Sequence, residues 1–335
     1  MKHITIKDVA RKLNVSVSTV SRAFNDKYDI RTETKELILK TAEEMGYRPN
    51  PIARKLIQQR SLNIGIIVPE FVNSFFPEVI MGAQEILLEK GYQVLIMQSN
   101  ESWETEFNNV KTMVDNMVDG LIISLSCENQ NIENYKKLID SDMPIVFFNR
   151  VVEDLPASKV VFDDFKWAFF ATEHLLVQGH RDIVHLTGPK NLTLSKNRLK
   201  GFDAAHRKYK VPLGRKVACS FSMEAGAKVA LEMIENKEVP SAIFAASDQS
   251  AIGAMKVFKE HGYEIPKDIA FVGFSESRLA EHIVPALTSV SQPTRDIGQT
   301  AANLLLEQIE TKGLFVPQTI VLNGRLNVRE SSMKI

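Results

Sequence analysis

The sequence predicts an α/β chain, in which an N-terminal three-helix head and a hinge segment precede a body of parallel sheets in two halves. Three observations carry that prediction. Residues 4–25, ITIKDVARKLNVSVSTVSRAFN, read as two short helices joined by a tight turn, the helix-turn-helix that places one helix in the DNA major groove. Charge is uneven: residues 1–60 carry thirteen Lys and Arg against seven Asp and Glu, a net +6, although the whole chain balances 41 against 41. From residue 62 onward, short apolar runs alternate with amphipathic stretches of helical length.

In chain order, Thr5 can cap the first helix with Asp8 at the box offset, and Ser16 can cap the second with Thr19 at the same offset. Val9, Ala10, Leu13, Val15, Val20 and Phe24 are spaced to share one apolar seam, which leaves Ser18, Thr19, Ser21 and Arg22 as a polar reading surface. Thr32 opens a third helix whose expected buried stripe is Leu37, Ile38, Thr41, Ala42 and Met45, closed by Gly46 in a left-handed cap. In YRPNPIARKLIQQRS, residues 47–61, two prolines enforce an extended entry, and the following helical stretch is too short to be stable alone. Paired with its twin over DNA it could order, with Arg54 and Lys55 near phosphates and Leu56 as an apolar wedge between base steps. A plain interdomain linker is the other reading of this segment.

The body begins with IGIIVP at residues 64–69, a helical pattern over 76–90, QVLIMQS, a helix near 104–117, DGLIISLS, another helix, and PIVFFNR. Further βα repeats start at DIVHLTG, SAIFAAS and IAFVGFS. Runs of this kind are expected to be strands buried on both faces, parallel and joined by right-handed helical crossovers. Two halves divide near residues 160–164, with a ligand cleft at the carboxyl ends of the strands between them.

Function classes narrow by absence. No apolar run approaches the ~18 residues of a membrane span, and MKHITIKDVARK has no apolar signal core, which predicts a cytoplasmic protein. Cys127 and Cys219 are not in a CxxC pattern or a His cluster, so they read as reduced core thiols. GxxxxGK[ST], GxGxxG after a strand, HExxH and GxSxG are all missing, which predicts no catalytic site and no cofactor. His174, His180 and His185 straddle a helix end and a strand and read as ordinary histidines rather than metal ligands. The alternatives to a DNA reader are a solute-binding protein without DNA function, or a sugar- or nucleotide-modifying enzyme.

Taken in order, TIKDVARKLNVSVSTVSRAFN, GYRPNPIARKL, IGIIVP, VGFSES, PALTSVSQP and IGQTAANLLLEQI give a chain that resembles the lactose-repressor (LacI/GalR) family of bacterial transcription regulators over essentially its whole length. The resemblance implies a homodimer or tetramer whose subunits join a helix-turn-helix head, a hinge helix and a two-lobed body similar to periplasmic sugar-binding proteins. Its partners would be a palindromic double-stranded DNA operator and a small-molecule effector, with no membrane. No heptad zipper follows Arg329, which makes the dimer the expected state. The implied organisation is a head over 1–47, a hinge over 48–61 and a body over 62–335. Lobe 1 would comprise about 62–161 and 292–322, and lobe 2 about 162–291 and 323–335.

Carried over by position, Val17, Ser18 and Arg22 would face base edges, with Thr5, Ser16, Thr19, Ser21 and Asn25 near the backbone or adjacent bases. Arg22 can grip guanine O6 and N7 with two parallel hydrogen bonds. Asn50, Ala53, Arg54 and Leu56 complete the DNA-facing set, Ala53 and Leu56 at the positions that enter the minor groove and kink the central step. The implied effector set is Phe75, Phe76, Ser126, Arg150, Asp163, Lys196, Phe221, Ser247, Asp248 and Ser275. Three positions depart from the family's sugar pattern: Lys196 replaces a common arginine, Ser247 an asparagine, and Ser275 an aspartate that holds paired hydroxyls. With Lys196 and Arg150 adding positive potential, an anionic or phosphorylated metabolite or an oligosaccharide fragment is expected over a neutral monosaccharide. For Phe75, Phe76 and Phe221 the competing reading is core packing, and for Asp163, Asp164 and Asp248 a solvated cap.

Overall fold

The computed structural model describes residues 4–24, 30–47, 60–127, 132–311 and 313–333. By internal contacts the chain divides into two units, Met1–Ser61 and Leu62–Ile335.

The first unit contains helices α1 (Ile6–Leu13), α2 (Val17–Phe24) and α3 (Thr32–Glu44). The Thr5 N–H donates to Asp8 Oδ2 at 3.0 Å and its hydroxyl to the same oxygen at 2.7 Å, so a helix-start donor is satisfied locally. Asn14 adopts the left-handed conformation that ends α1, and Ser16 Oγ then accepts the Thr19 N–H at 3.1 Å to begin α2. Val9, Ala10, Val20, Ala23, Ile38 and Ala42 form the buried centre, with Leu13, Val15, Phe24 and Met45 half-buried around it. Leu37 departs from the expected stripe: its position on α3 faces outward and it is exposed. Gly46 takes φ +70° as the cap after α3.

The second unit holds two six-stranded sheets. In lobe 1, β1 (Asn63–Val68), β2 (Gln93–Gln98), β3 (Gly120–Ile123), β4 (Ile145–Phe148), β5 (Ser158–Phe162) and β11 (Thr319–Leu322) pair in the order β11-β5-β4-β3-β1-β2, all parallel. In lobe 2, β6 (Ile183–Leu186), β7 (Arg215–Val217), β8 (Ala242–Ala245), β9 (Ala270–Phe274), β10 (Thr288–Ser291) and β12 (Arg325–Asn327) pair as β12-β10-β9-β8-β6-β7, with only β12 antiparallel. The chain passes from one sheet to the other three times: after β5, after β10 and after β11.

Helices α4 (Phe75–Glu89), α5 (Trp103–Asp115), α6 (Ile132–Asp140) and α11 (Thr294–Thr311) clothe the first sheet. Helices α7 (Asp164–Val177), α8 (Thr193–Lys208), α9 (Met223–Glu235) and α10 (Asp248–Glu260) clothe the second. Backbones of α4 and α11 touch across glycines, since a Cβ on Gly82 would sit 2.2 Å from the Arg295 carbonyl and one on Gly298 2.0 Å from that of Val79. The central strands β3, β4, β6, β8 and β9 are buried along their length, as expected of strands covered on both faces. Strand β2 is different: it is an edge, and Gln93, Leu95 and Ile96 are exposed.

Candidate functional site

On α2, the residues that do not face the head's core form one surface. Val17, Ser18 and Arg22 are exposed and Thr19 and Ser21 half-buried, while Val20 and Ala23 turn inward. The side chains of Thr5 and Ser16 are committed to the caps, and Ser16 Oγ also meets the Ser18 hydroxyl at 2.7 Å. The Ser16 cap fixes where α2 begins, with its first turn displayed. Arg22 has no ion-pair partner among the described residues, so its guanidinium is available to an external anion or base edge. Asn25, Asn50, Ala53, Arg54 and Leu56 lie outside the described residues.

In the second unit, the carboxyl ends of β3 and β4 face α8 of the other lobe across a cavity of about 340 Å³. Ser126, Arg150 and Lys196 share its wall with Asn191 and Asn197. Arg150, only 5% exposed, donates from Nη1 to both oxygens of Glu101 at 2.7 Å. Its Nε has no partner, and its guanidinium lies 5.7 Å from the Phe76 ring centroid and 6.0 Å from that of Phe221, one ring from each lobe. Burial alone would raise the Glu101 carboxyl, but the charge and hydrogen bonds of Arg150, helped by the Cys127 N–H, hold it below the usual range. Burial pushes the neighbouring Cys127 thiol up to about 12, so it stays protonated. Asn191 closes the gap between lobes by donating to the Cys127 carbonyl.

Phe221 leads to a second guanidinium. Arg198 on α8 lies 6.0 Å from the Phe221 centroid and 3.7 Å from that of Phe274, donates to Asp164 Oδ1 at 2.8 Å and to the Ala246 carbonyl at 2.6 Å, and is fully enclosed. Burial raises the Asp164 carboxyl against the pull of Arg198. Ser126 supplies a buried hydroxyl without a partner, and its N–H is held by Glu106 Oε2 at 2.5 Å.

Other expected effector residues have partners within the fold. Phe75 packs edge-to-face on Phe76 inside the lobe 1 core. Asp163 caps α7 by accepting the Lys166 N–H at 3.0 Å, and Ser247 caps α10 while donating to the Phe221 carbonyl at 3.1 Å. Asp248 takes the Ser289 hydroxyl and the Ser277 N–H, each at 2.6 Å, beneath the loop that carries Ser275 in a left-handed conformation, φ +83°. Burial raises its carboxyl to about 7 against those hydrogen bonds. Asp248 thus supports the loop from below. The cavity wall carries charges of both signs: Arg150 is paired with Glu101, and Lys196 and Lys200 share the lining with Glu153 and Asp154.

Sequence reasoning missed Arg198, Glu101 and Asn191. Nothing local marks them, because Arg198 meets Asp164 only when α8 packs on α7, and Glu101 meets Arg150 only across the ends of two strands. The three histidines diverge: His174 meets Ser332 at 2.8 Å, while His185 is buried in β6 with Nδ1 on the Phe244 carbonyl at 2.9 Å. Among the described residues no group of His, Cys, Asp and Glu could hold a metal ion, and no helix is long and apolar enough to cross a membrane.

Known families match both units. The model for bacterial regulatory proteins of the lacI family covers residues 5–50, and that for the periplasmic binding protein-like domain covers residues 172–332. The chain is 35% identical over 311 residues to the ribose operon repressor of Halalkalibacterium halodurans, spanning 92% of each protein. Its fold resembles that of the lac repressor dimer bound to operator and the anti-inducer ONPF, with TM-score 0.86 at 24% identity over 99% of this chain and 100% of that one. The complex of the transcriptional regulator CelR with cellobiose is similar at 27% identity and TM-score 0.74, over 98% of this chain and 99% of that one.

Proposed function

Because the chain belongs to the lacI family of bacterial regulatory proteins and is a DNA-binding transcription regulator, we propose that α2 reads operator bases through Val17, Ser18 and Arg22 and that the interlobe cleft takes the effector. The carrying observation is the capped helix-turn-helix whose exposed face presents an unpaired arginine. Thr5, Ser16, Thr19, Ser21 and Asn25 serve phosphates or flanking bases. The organisation we assign is head 1–47, hinge 48–61 and body 62–335, with Asn50, Ala53, Arg54 and Leu56 of the hinge meeting the minor groove. The protein acts in the cytoplasm, where its DNA is, and as a homodimer. One three-helix head makes too few contacts for useful affinity. The exposed edge of β2, with Leu95 and Ile96, and the exposed Met81 and Leu88 of α4 give lobe 1 an apolar surface for a second copy.

The effector is carbohydrate-derived and neutral at its core. At the cleft the Arg150 guanidinium lies against the half-buried Phe221 ring, with Phe76 behind it in the lobe 1 core; Arg150 has an unused N–H, Ser126 an unused hydroxyl, and the wall carries charges of both signs. Polyhydroxylated rings suit such a set, since each hydroxyl both donates and accepts. The relatives named for the ribose operon and solved with cellobiose are in keeping with this reading. A thermal-shift panel of pentoses, hexoses, disaccharides and their phosphates tests it. At a hundred times its dissociation constant an effector adds about 2.7 kcal/mol. Neutral sugars should raise the melting temperature; a response confined to phosphorylated compounds would refute the neutral-core assignment.

A further inference from the structure

In lobe 1, sharing no lining residue with the cleft cavity, α5 and α6 leave an apolar groove of about 260 Å³ lined by Phe107, Val110, Val114, Tyr135 and Leu138. Its wall also carries Lys111 and Lys137, both exposed, and no acidic side chain. Neither lysine is ion-paired among the described residues. The groove is large enough for one aromatic ring with a short tail, given that benzene fits an engineered cavity of ~150 Å³. Its electrostatics select the tail: a carboxylate would complete two lysines that lack a partner.

The floor connects this groove to the effector cleft. The Tyr135 hydroxyl donates to Glu106 Oε1 at 2.7 Å, and Glu106 Oε2 accepts the Ser126 N–H at 2.5 Å. Glu106 is fully buried, so both donors are bound to a carboxylate held away from water, where hydrogen bonds are strong. Ser126 is in the cleft wall beside Arg150. Whatever displaces the Tyr135 ring in the groove therefore pulls, through one carboxylate, on the backbone that forms the effector site.

We propose that the α5–α6 groove is a second ligand site, for a small aromatic carboxylate, coupled to the cleft through Tyr135, Glu106 and Ser126. The site is separate from the cleft, and ligands at the two sites alter each other's affinity by the same factor. Titrating the full-length, nitrogen-15-labelled protein with phenylacetate and with neutral 2-phenylethanol, and reading backbone amide resonances, tests the proposal. Phenylacetate should saturably shift Val114, Leu138 and Ser126. The alcohol should bind about fivefold more weakly, the size of an exposed ion pair. A Lys111→Gln/Lys137→Gln double variant should erase that difference, and Leu138→Trp should abolish binding. Tyr135→Phe should keep the groove shifts but leave Ser126 still. The proposal is overturned if phenylacetate moves no groove amide, if the alcohol binds as tightly as the acid, or if Ser126 responds equally in Tyr135→Phe.

Discussion

The two cleft arginines make the same kind of bond in different surroundings. Arg198 and Asp164 are both enclosed, their side chains 4% and 7% exposed, and Arg198 also holds the Ala246 carbonyl at the end of β8. Arg150 is as buried, but its partner Glu101 is 36% exposed, and one nitrogen of the guanidinium is unused. An ion pair sealed from water is costly to break because the survivor keeps its charge in a medium that solvates it poorly. A pair with one partner in water can exchange partners, which a ligand-binding group must do. The difference gives Arg198 the surroundings of a residue that holds lobe 2 together and supports the proposal that Arg150 meets the ligand.

Arg198→Ala should therefore give the largest effect, destabilising the body by about 3 to 5 kcal/mol in denaturant unfolding because Asp164 is left buried and unpaired. Replacing both members by apolar residues, Arg198→Met with Asp164→Leu, should recover most of that loss; failure to recover would mean that the bond to Ala246 matters more than the charge.

Within lobe 2, His185 and Asp248 should respond to acid in opposite directions. Burial pushes the His185 imidazole down to about 4, between the stacked rings of Phe202 and Phe244. The unfolded chain binds this proton near pH 6.5 and the folded one does not, so stability is complete above pH 6.5 and falls as the pH drops toward 4. The expected loss across that window is about 3 kcal/mol from this group. Asp248, raised to about 7, adds stability as the pH falls, so His185→Phe should shift the profile toward greater stability in acid; an unchanged slope would assign it to other groups.

Arg150→Gln should act on stability least, by about 1 kcal/mol or less, since Glu101 is left at a partly wetted site. Its effector affinity should nevertheless fall at least about tenfold, the size of a lost charged hydrogen bond. Calorimetry with a sugar that raises the wild-type melting temperature checks this. If Arg198 tolerated substitution and Arg150 did not, the two assignments would be reversed.

Much of the architecture was legible because the signals were local. The caps at Thr5 and Ser16 are set by residues three apart, and strands such as IVFF and AFVGF announce their burial by being wholly apolar. Strand β2 looks the same in sequence, but its edge position leaves Leu95 and Ile96 uncovered, which composition cannot report. Strands β7 and β12, RKV and RLN, are short polar edges, and β10, TSVS, is buried only because Thr288 and Ser289 are satisfied by Arg329 and Asp248. The cleft was legible as a location more than as chemistry. Asp163, Ser247 and Asp248 have the residue types of a polar site, yet their lone pairs are used by caps and by the Ser277 loop. At Asp163 and Ser247 the cap partners are three and two residues on, but the Ser277 and Ser289 groups that occupy Asp248 are 29 and 41 residues away, beyond any local pattern.

Operator reading by α2 is tested by selection from a random DNA library with the full-length protein and with Arg22→Ala. An enriched site with two-fold symmetry is expected, bound less well as salt rises, with a loss of preference at one base pair per half-site in the variant, worth about 1 to 3 kcal/mol. Enrichment of a site without symmetry, or the same base preferences in both proteins, would contradict it.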